Sequence, residues 1–437
     1  MHIRRSRRWL AVPLAGALAV AACGDDDVST ADTADTADTA APPAATDGTT
    51  TSAPGSDTTA ATDTTVAPTE TSASGGETTA GGSDATAAAG EIDLSADCPE
   101  TVVIQTDWNP EAEHGWIYNM VGDDYEIDKD AVAVRGPLVA SGEVDTGVDI
   151  EVRSGGPAIG LQTVTSQLYA DEDILLGYVY TDEGIQNSAE FPTIAIMAGM
   201  EKNPQMLMWD PETYPDVETI ADVGEEGILV RYFGGAAYMD FFTQTGILSP
   251  DQVDGSYDGT PANFVAAQGV DGQQGFGSAE PYVYENEIDD WGKPIAYDYI
   301  NDAGWENYAE SIATKPENIE TYGACFEQLV PIIQQSSVDY MNDPDATNEL
   351  IIEAVEVFDN GWVYSQGVAD YAVETMLADG LIGNGPDETL GNFDLDRVNE
   401  LIEKAIPVYE ALGQTPPEGL TAEDVVTNEF IDDSIGL

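Results

Sequence analysis

The chain has 437 residues and a formal net charge of −69, with 13 Lys and Arg against 82 Asp and Glu. That balance excludes nucleic acid as a partner, because affinity for a phosphate backbone comes from clustered cations. The histidines are His2 and His114 and there are three cysteines, so no Cys/His cluster has metal-ligand spacing, and most triad and metal-hydrolase chemistries lack a residue. No metal, cofactor or catalytic residue is expected.

The first elements are those of export. Arg4, Arg5, Arg7 and Arg8 form a basic start, and Trp9 to Ala22 is a short apolar run that ends in Val20-Ala21-Ala22-Cys23. Small residues directly before a cysteine mark a lipoprotein-type signal peptide over 1–22. The run is too short for a membrane span, which needs about 20 apolar residues. Cys23 is then the lipidated N-terminus and the anchor to the bacterial membrane, outside the cytoplasm. Ordinary secretion is favoured, although the basic pair also suits twin-arginine export. Residues 23–91 read as a disordered tether of Thr, Ala, Gly, Ser, Asp and Pro with nothing to bury. As a flexible coil, ~68 residues reach about 45–50 Å.

From 92 to 437 the composition is that of a folded domain, too long for one compact core, so two lobes are expected. Short apolar stretches alternate with helical patterns, which reads as α/β. Thr101 to Thr106 is a strand and His114 to Val121 a short helix. Pro157 to Tyr169 is a helix opened by Pro after Gly155-Gly156. Ile174 to Tyr180, Thr193 to Ala198, Gln205 to Trp209 and Gly227 to Tyr232 are strands. Gly234-Gly235 opens a helix over Ala236 to Thr245. The alternation continues through Ile295 to Ile300, and the part beyond Pro316 is mostly helical. The assignment is lobe 1 at about 92–200 plus 301–437, and lobe 2 at about 201–300. Cys98 and Cys325 are an even pair in an oxidising compartment and are expected to form a disulfide.

In open α/β sheets a ligand binds beyond the carboxyl ends of the strands. Asp107, Trp108, Glu113 and His114 follow the first strand, Gly155 and Gly156 the second, and Tyr180 the third. In the second lobe these positions carry Tyr232, Phe233, Gly234 and Gly235, then Phe276 and Glu280, with Tyr238 on the following helix. Trp108 stacks on a solute ring, whereas Trp116 reads as helix core. Asp107 and Glu113 accept hydrogen bonds from an amine-like edge or cap the loop. His114 is the lone histidine here, structural or ligand-facing. Tyr180, Tyr232, Phe233 and Tyr238 are walls. The glycine-rich turns offer backbone N–H groups to an anion or polar heteroatom. Arg153 suits an anionic solute or pairs with a surface acid.

Asp107-Trp108-Asn109-Pro110 with Glu113-His114-Gly115, Gly155-Gly156-Pro157, Ser256-Tyr257-Asp258-Gly259-Thr260-Pro261, Gly272-Gln273-Gln274-Gly275-Phe276 with Ala279-Glu280-Pro281-Tyr282, and Thr427-Asn428-Glu429-Phe430-Ile431 form an ordered set. It resembles the binding proteins of the nitrate/sulfonate/taurine and thiamine-pyrimidine ABC importers over about 98–434. The resemblance implies a two-lobed, periplasmic-binding-protein-like (type II) clamshell that closes on a small solute. It also implies a membrane permease and a cytoplasmic ATPase as partners. The expectation is a monomeric, non-enzymatic substrate-binding lipoprotein. A pyrimidine-like vitamin precursor is the first solute, and a sulfonate, nitrate or similar oxyanion the alternative. Some relatives are pyridoxal-dependent pyrimidine synthases. That reading is weak, because Asp107 to Asp128 contains no lysine and the cysteines are scattered.

Overall fold

The computed structural model describes residues 92–437; the signal peptide, Cys23 and the tether fall outside the described residues. Two sheets organise the chain. The strands are β1 (Thr101–Gln105), β2 (Glu126–Asp128), β3 (Ala133–Ala140), β4 (Val144–Arg153), β5 (Leu176–Val179), β6 (Ile194–Met197), β7 (Gln205–Trp209), β8 (Val230–Arg231), β9 (Val253–Asp254), β10 (Gly272–Phe276), β11 (Ala296–Tyr299) and β12 (Ser311–Thr314). A seven-stranded sheet has the order β2-β3-β4-β1-β5-β12-β6, and a five-stranded sheet the order β11-β7-β10-β8-β9. The α/β clamshell expected from the sequence is present. The chain leaves the first sheet after β6 and returns to it before β12.

β1 explains the first lobe. It is parallel to β4 on one side and β5 on the other, and Val102, Val103 and Ile104 are all buried. β-branched residues on both faces suit a central strand covered above and below. The β3–β4 hairpin left little trace in the sequence reading beyond its end at Arg153. Its turn is set by Gly142 at φ +75°. The helix expected over 157–169 is two pieces, a 3₁₀ turn at Gly156–Ile159 and an α-helix at Val164–Ala170. Gly160 ends the first piece in the left-handed conformation (φ 67°), and Thr163 caps the second by accepting from the Ser166 N–H.

The C-terminal part is helical, with helices Pro316–Asn342, Asp345–Phe358, Gln366–Ala378 and Leu395–Ala411. Cys98, just before β1, is bonded to Cys325 on the first of these, with 4.8 Å between Cα atoms. Among the described residues no helix is long and apolar enough to cross a membrane.

The two connections between the sheets lie side by side. The Met200 N–H donates to the Ala309 carbonyl at 3.3 Å, and Asn203 Nδ2 donates to Asn307 Oδ1 at 2.8 Å. A Cβ on Gly199 would lie 2.1 Å from the Glu310 carbonyl oxygen, so only glycine fits there. Arg397, on helix Leu395–Ala411, holds both connections. Its guanidinium donates to the Glu201 carbonyl (2.8 Å) and carboxylate (3.0 Å), and to the Glu306 (2.8 Å) and Asn307 (3.2 Å) carbonyls. It also lies 3.8 Å from the centre of the Tyr308 ring.

Candidate functional site

The loop after β1 is held so tightly against the end of β4 that glycine is required there. The Gly155 N–H donates to the Trp108 carbonyl and the Gly156 N–H to the Asp107 carbonyl, each at 2.8 Å. A Cβ on Gly155 would meet the Thr106 carbonyl at 2.2 Å, and one on Gly156, which has φ +54°, would meet the Trp108 ring at 2.6 Å. These N–H groups therefore position the loop, and the expectation that they present donors to an anion is corrected.

From this loop and the 3₁₀ turn Ala112–His114 come the charged groups. His114 is wholly buried, and its Nε2 lies 3.0 Å from Asp107 Oδ1 and 4.0 Å from Glu111 Oε1. The His114 ring stands edge-on to Tyr178, 5.1 Å between centroids. Ser278, in the loop after β10, donates to the Glu113 carboxylate across the junction between the lobes. Glu310, in the returning connection immediately before β12, completes the group from the first lobe: Asp107, His114 and Glu310 each offer one ligand atom, all within 4.8 Å of one another. Glu280 comes from the second lobe, where its carboxylate accepts from the Phe276 N–H at 2.7 Å.

Five carboxyl groups thus gather at this junction, and burial acts on the four glutamates among them. Burial pushes Glu113 up to about 7, against the Ser278 hydrogen bond, and burial lifts Glu280 to about 7 as well. Glu111 and Glu310 are pushed well up, first by burial and then by neighbouring acids, with Glu113 foremost for Glu111 and Asp107 for Glu310. Tyr180 is pushed well up by burial and by Asp107, which puts it beside the cluster. The cations in the described part are engaged elsewhere. Arg153, for example, pairs with Glu151 and Asp171, and Arg231 with Asp254 and Asp271. Arg153 is therefore not a reader of an anionic solute in this cleft.

Aromatic rings close the junction above the acids. Trp108 meets Phe233 of the second lobe edge-on at 6.3 Å and Trp362 at 6.2 Å, and Phe233 packs on Tyr257 at 4.8 Å. Of the residues expected at the strand tips, Asp107, Trp108, Glu113, His114, Tyr180, Phe233, Phe276 and Glu280 lie at or beside this junction. Others do not. Tyr238 is core, only 2% exposed, with its hydroxyl donating to Gln274 at 2.7 Å. Tyr232, just beyond β8, packs against the hydrophobic core and neighbours Asp240 and Asp254, whereas Phe233 packs on Trp108 and Tyr257. Gly234 and Gly235 are exposed. The sequence reading missed Glu111, Ser278, Glu310 and Trp362. Its exclusion of a metal site rested on local spacing, and the fold assembles one histidine and two acids from separate segments.

The sign of the pH dependence follows from these carboxyls. Their folded pKa values exceed the ordinary value of 4.5, so their favourable contribution is complete below that value and is lost as pH rises through about 7. We expect the melting temperature in EDTA to rise as pH falls from 8 to 5.5, and the Glu113→Gln/Glu280→Gln variant to show a flatter rise. Equal slopes in the two proteins would disprove the assignment.

No family model matches the chain, and no curated protein matches it in sequence. Solved structures do match in overall form. The periplasmic aliphatic sulphonate binding protein SsuA from Escherichia coli is 14% identical over 76% of this chain and 92% of that one, with a TM-score of 0.49. The alkanesulfonate-binding protein SsuA from Xanthomonas axonopodis, bound to MOPS, is 11% identical over 75% of this chain and 99% of that one, with a TM-score of 0.46. The periplasmic nitrate-binding protein NrtA from Synechocystis is 11% identical over 76% of this chain and 87% of that one, with a TM-score of 0.44.

Proposed function

We propose that this chain is the extracytoplasmic solute-binding subunit of an ABC importer, lipid-anchored through Cys23, which captures a small cationic or amine-bearing solute between its lobes and releases it unchanged to a permease. The cleft carries the reading: Asp107, Glu111, Glu113, Glu280 and Glu310 converge where the lobes meet, with no Lys or Arg pairing any of them among the described residues. Such a site disfavours an oxyanion, because its buried carboxyls already cannot all ionise together, and it favours positive charge or polarised N–H groups. The rings of Trp108, Phe233 and Tyr257 add flat apolar walls suited to a ring-bearing solute. An aminopyrimidine vitamin precursor has both features, which places it ahead of sulfonate or nitrate.

A thermal-shift panel in EDTA-containing buffer tests this. An aminopyrimidine bearing a free amine should stabilise the protein by about 2.7 kcal/mol when present at about 100 times its Kd. Glu280→Gln should weaken that shift. Stabilisation by sulfonates or nitrate alone would overturn the proposal.

A further inference from the structure

We propose that Asp107, His114 and Glu310 bind a divalent first-row transition-metal ion at the floor of the cleft. The inference goes beyond solute capture and needs no solute. Geometry comes first. Two ligands of a tetrahedral ion with bonds of about 2.1 Å are separated by about 3.4 Å; His114 Nε2 and Asp107 Oδ1, hydrogen-bonded at 3.0 Å, need to part by only a few tenths of an ångström to admit such an ion. Glu111 Oε1, at 4.0 Å from His114 Nε2, is placed to serve as a further donor.

Glu310 carries a buried atom with nothing to bond. Glu310 is 2% exposed, and its Oε2 has no hydrogen-bond partner among the described residues. A carboxylate in that position is costly unless a positive charge compensates it. No Lys or Arg among the described residues does so: the ion pairs of these residues are made with other acids, and Lys315 lies over the Tyr169 ring. The backbone of Glu310 is in the left-handed region at φ 49°, an unfavourable conformation for a residue with a side chain. That conformation occurs at the one residue of the returning connection that supplies an oxygen to the group. The His114 ring packs edge-on against Tyr178, 5.1 Å between centroids, and its buried Nδ1 has no hydrogen-bond partner among the described residues.

The donor set fixes the class of ion. Carboxylates alone would suit calcium or magnesium, whereas an imidazole nitrogen favours zinc, iron, cobalt or nickel. Two carboxylates and one neutral imidazole would carry no net charge once a divalent ion is bound. Glu113 and Glu280 would remain to face the solute.

Calorimetric titration of the EDTA-treated full chain with Zn²⁺ alone, in excess Mg²⁺ to occupy the acidic surface, is the test. One Zn²⁺ per chain is expected, with affinity lowered by about 100-fold or more in Glu310→Gln and in His114→Ala. The exposed Glu400→Gln variant should bind as the unaltered chain does. Co²⁺ should give visible absorption bands that Zn²⁺ abolishes. Circular dichroism identifies any variant that fails to fold, and the near-isosteric Glu310→Gln decides the matter if His114→Ala is lost. The proposal fails if no stoichiometric site exists in the unaltered chain, or if folded Glu310→Gln binds Zn²⁺ undiminished. Either failure leaves the solute panel unaffected, because this titration contains no solute.

Discussion

Replacing both Cys98 and Cys325 by alanine should lower the unfolding free energy by about 5 kcal/mol, read as the midpoint of denaturant unfolding. The bond closes a loop across a sequence separation of 227 residues. In the chain-entropy account the cost of closing such a loop in the unfolded chain grows as the logarithm of its length, and for a loop this long it reaches about 5 kcal/mol. Cys325 is wholly buried in the first-lobe core beside Phe326 and Leu329. The bond joins the segment that enters β1 to helix Pro316–Asn342. An unfolding midpoint within error of the unaltered protein would mean that the link restrains nothing in the unfolded chain.

Arg397→Ala should be the most damaging single substitution outside the cleft, at about 3–5 kcal/mol. The side chain makes hydrogen bonds to three backbone carbonyls and one carboxylate, and these reach both connections between the sheets. Burial pushes Glu201 up to about 7 even with Arg397 beside it, so removal of the guanidinium leaves a poorly solvated acid and three unpaired carbonyls. Arg397→Lys should recover little, because an ammonium group cannot reproduce the fork that spans Glu201, Glu306 and Asn307. The expected readouts are a lowered melting temperature and faster hydrogen exchange at Met200, whose amide bridges the two connections. Unchanged exchange there would show that the connections hold together without the clamp.

The sequence revealed those parts of the site that are contiguous. Asp107, Trp108, Glu113 and His114 lie in a single loop after a strand that is unmistakable from Val102-Val103-Ile104, and the structure keeps them together. Glu310 was invisible for a physical reason: it precedes a four-residue strand, Ser311–Thr314, too short to carry a pattern, and it reaches the cluster only because the chain returns to the first sheet there. The same return defeats any judgement of metal binding from spacing. Gly155 and Gly156 were recognised as special but for the wrong cause. What requires glycine is the proximity of the Thr106 carbonyl and the Trp108 ring, and their amides are already used by the loop. Tyr238 was misplaced because an aromatic residue on the helix after a strand looks the same in sequence whether it faces the cleft or the core.

The commitment of the cations to partners has a consequence for how copies of the domain meet one another. With Lys129, Arg135, Lys293 and Lys404 each already neutralised by a neighbouring acid, the exterior presents almost unrelieved negative charge. Copies of the domain repel one another at separations within about 8 Å of screening distance at physiological salt. Each copy carries its own atmosphere of small cations, enriched at the mouth of the cleft before any specific encounter takes place.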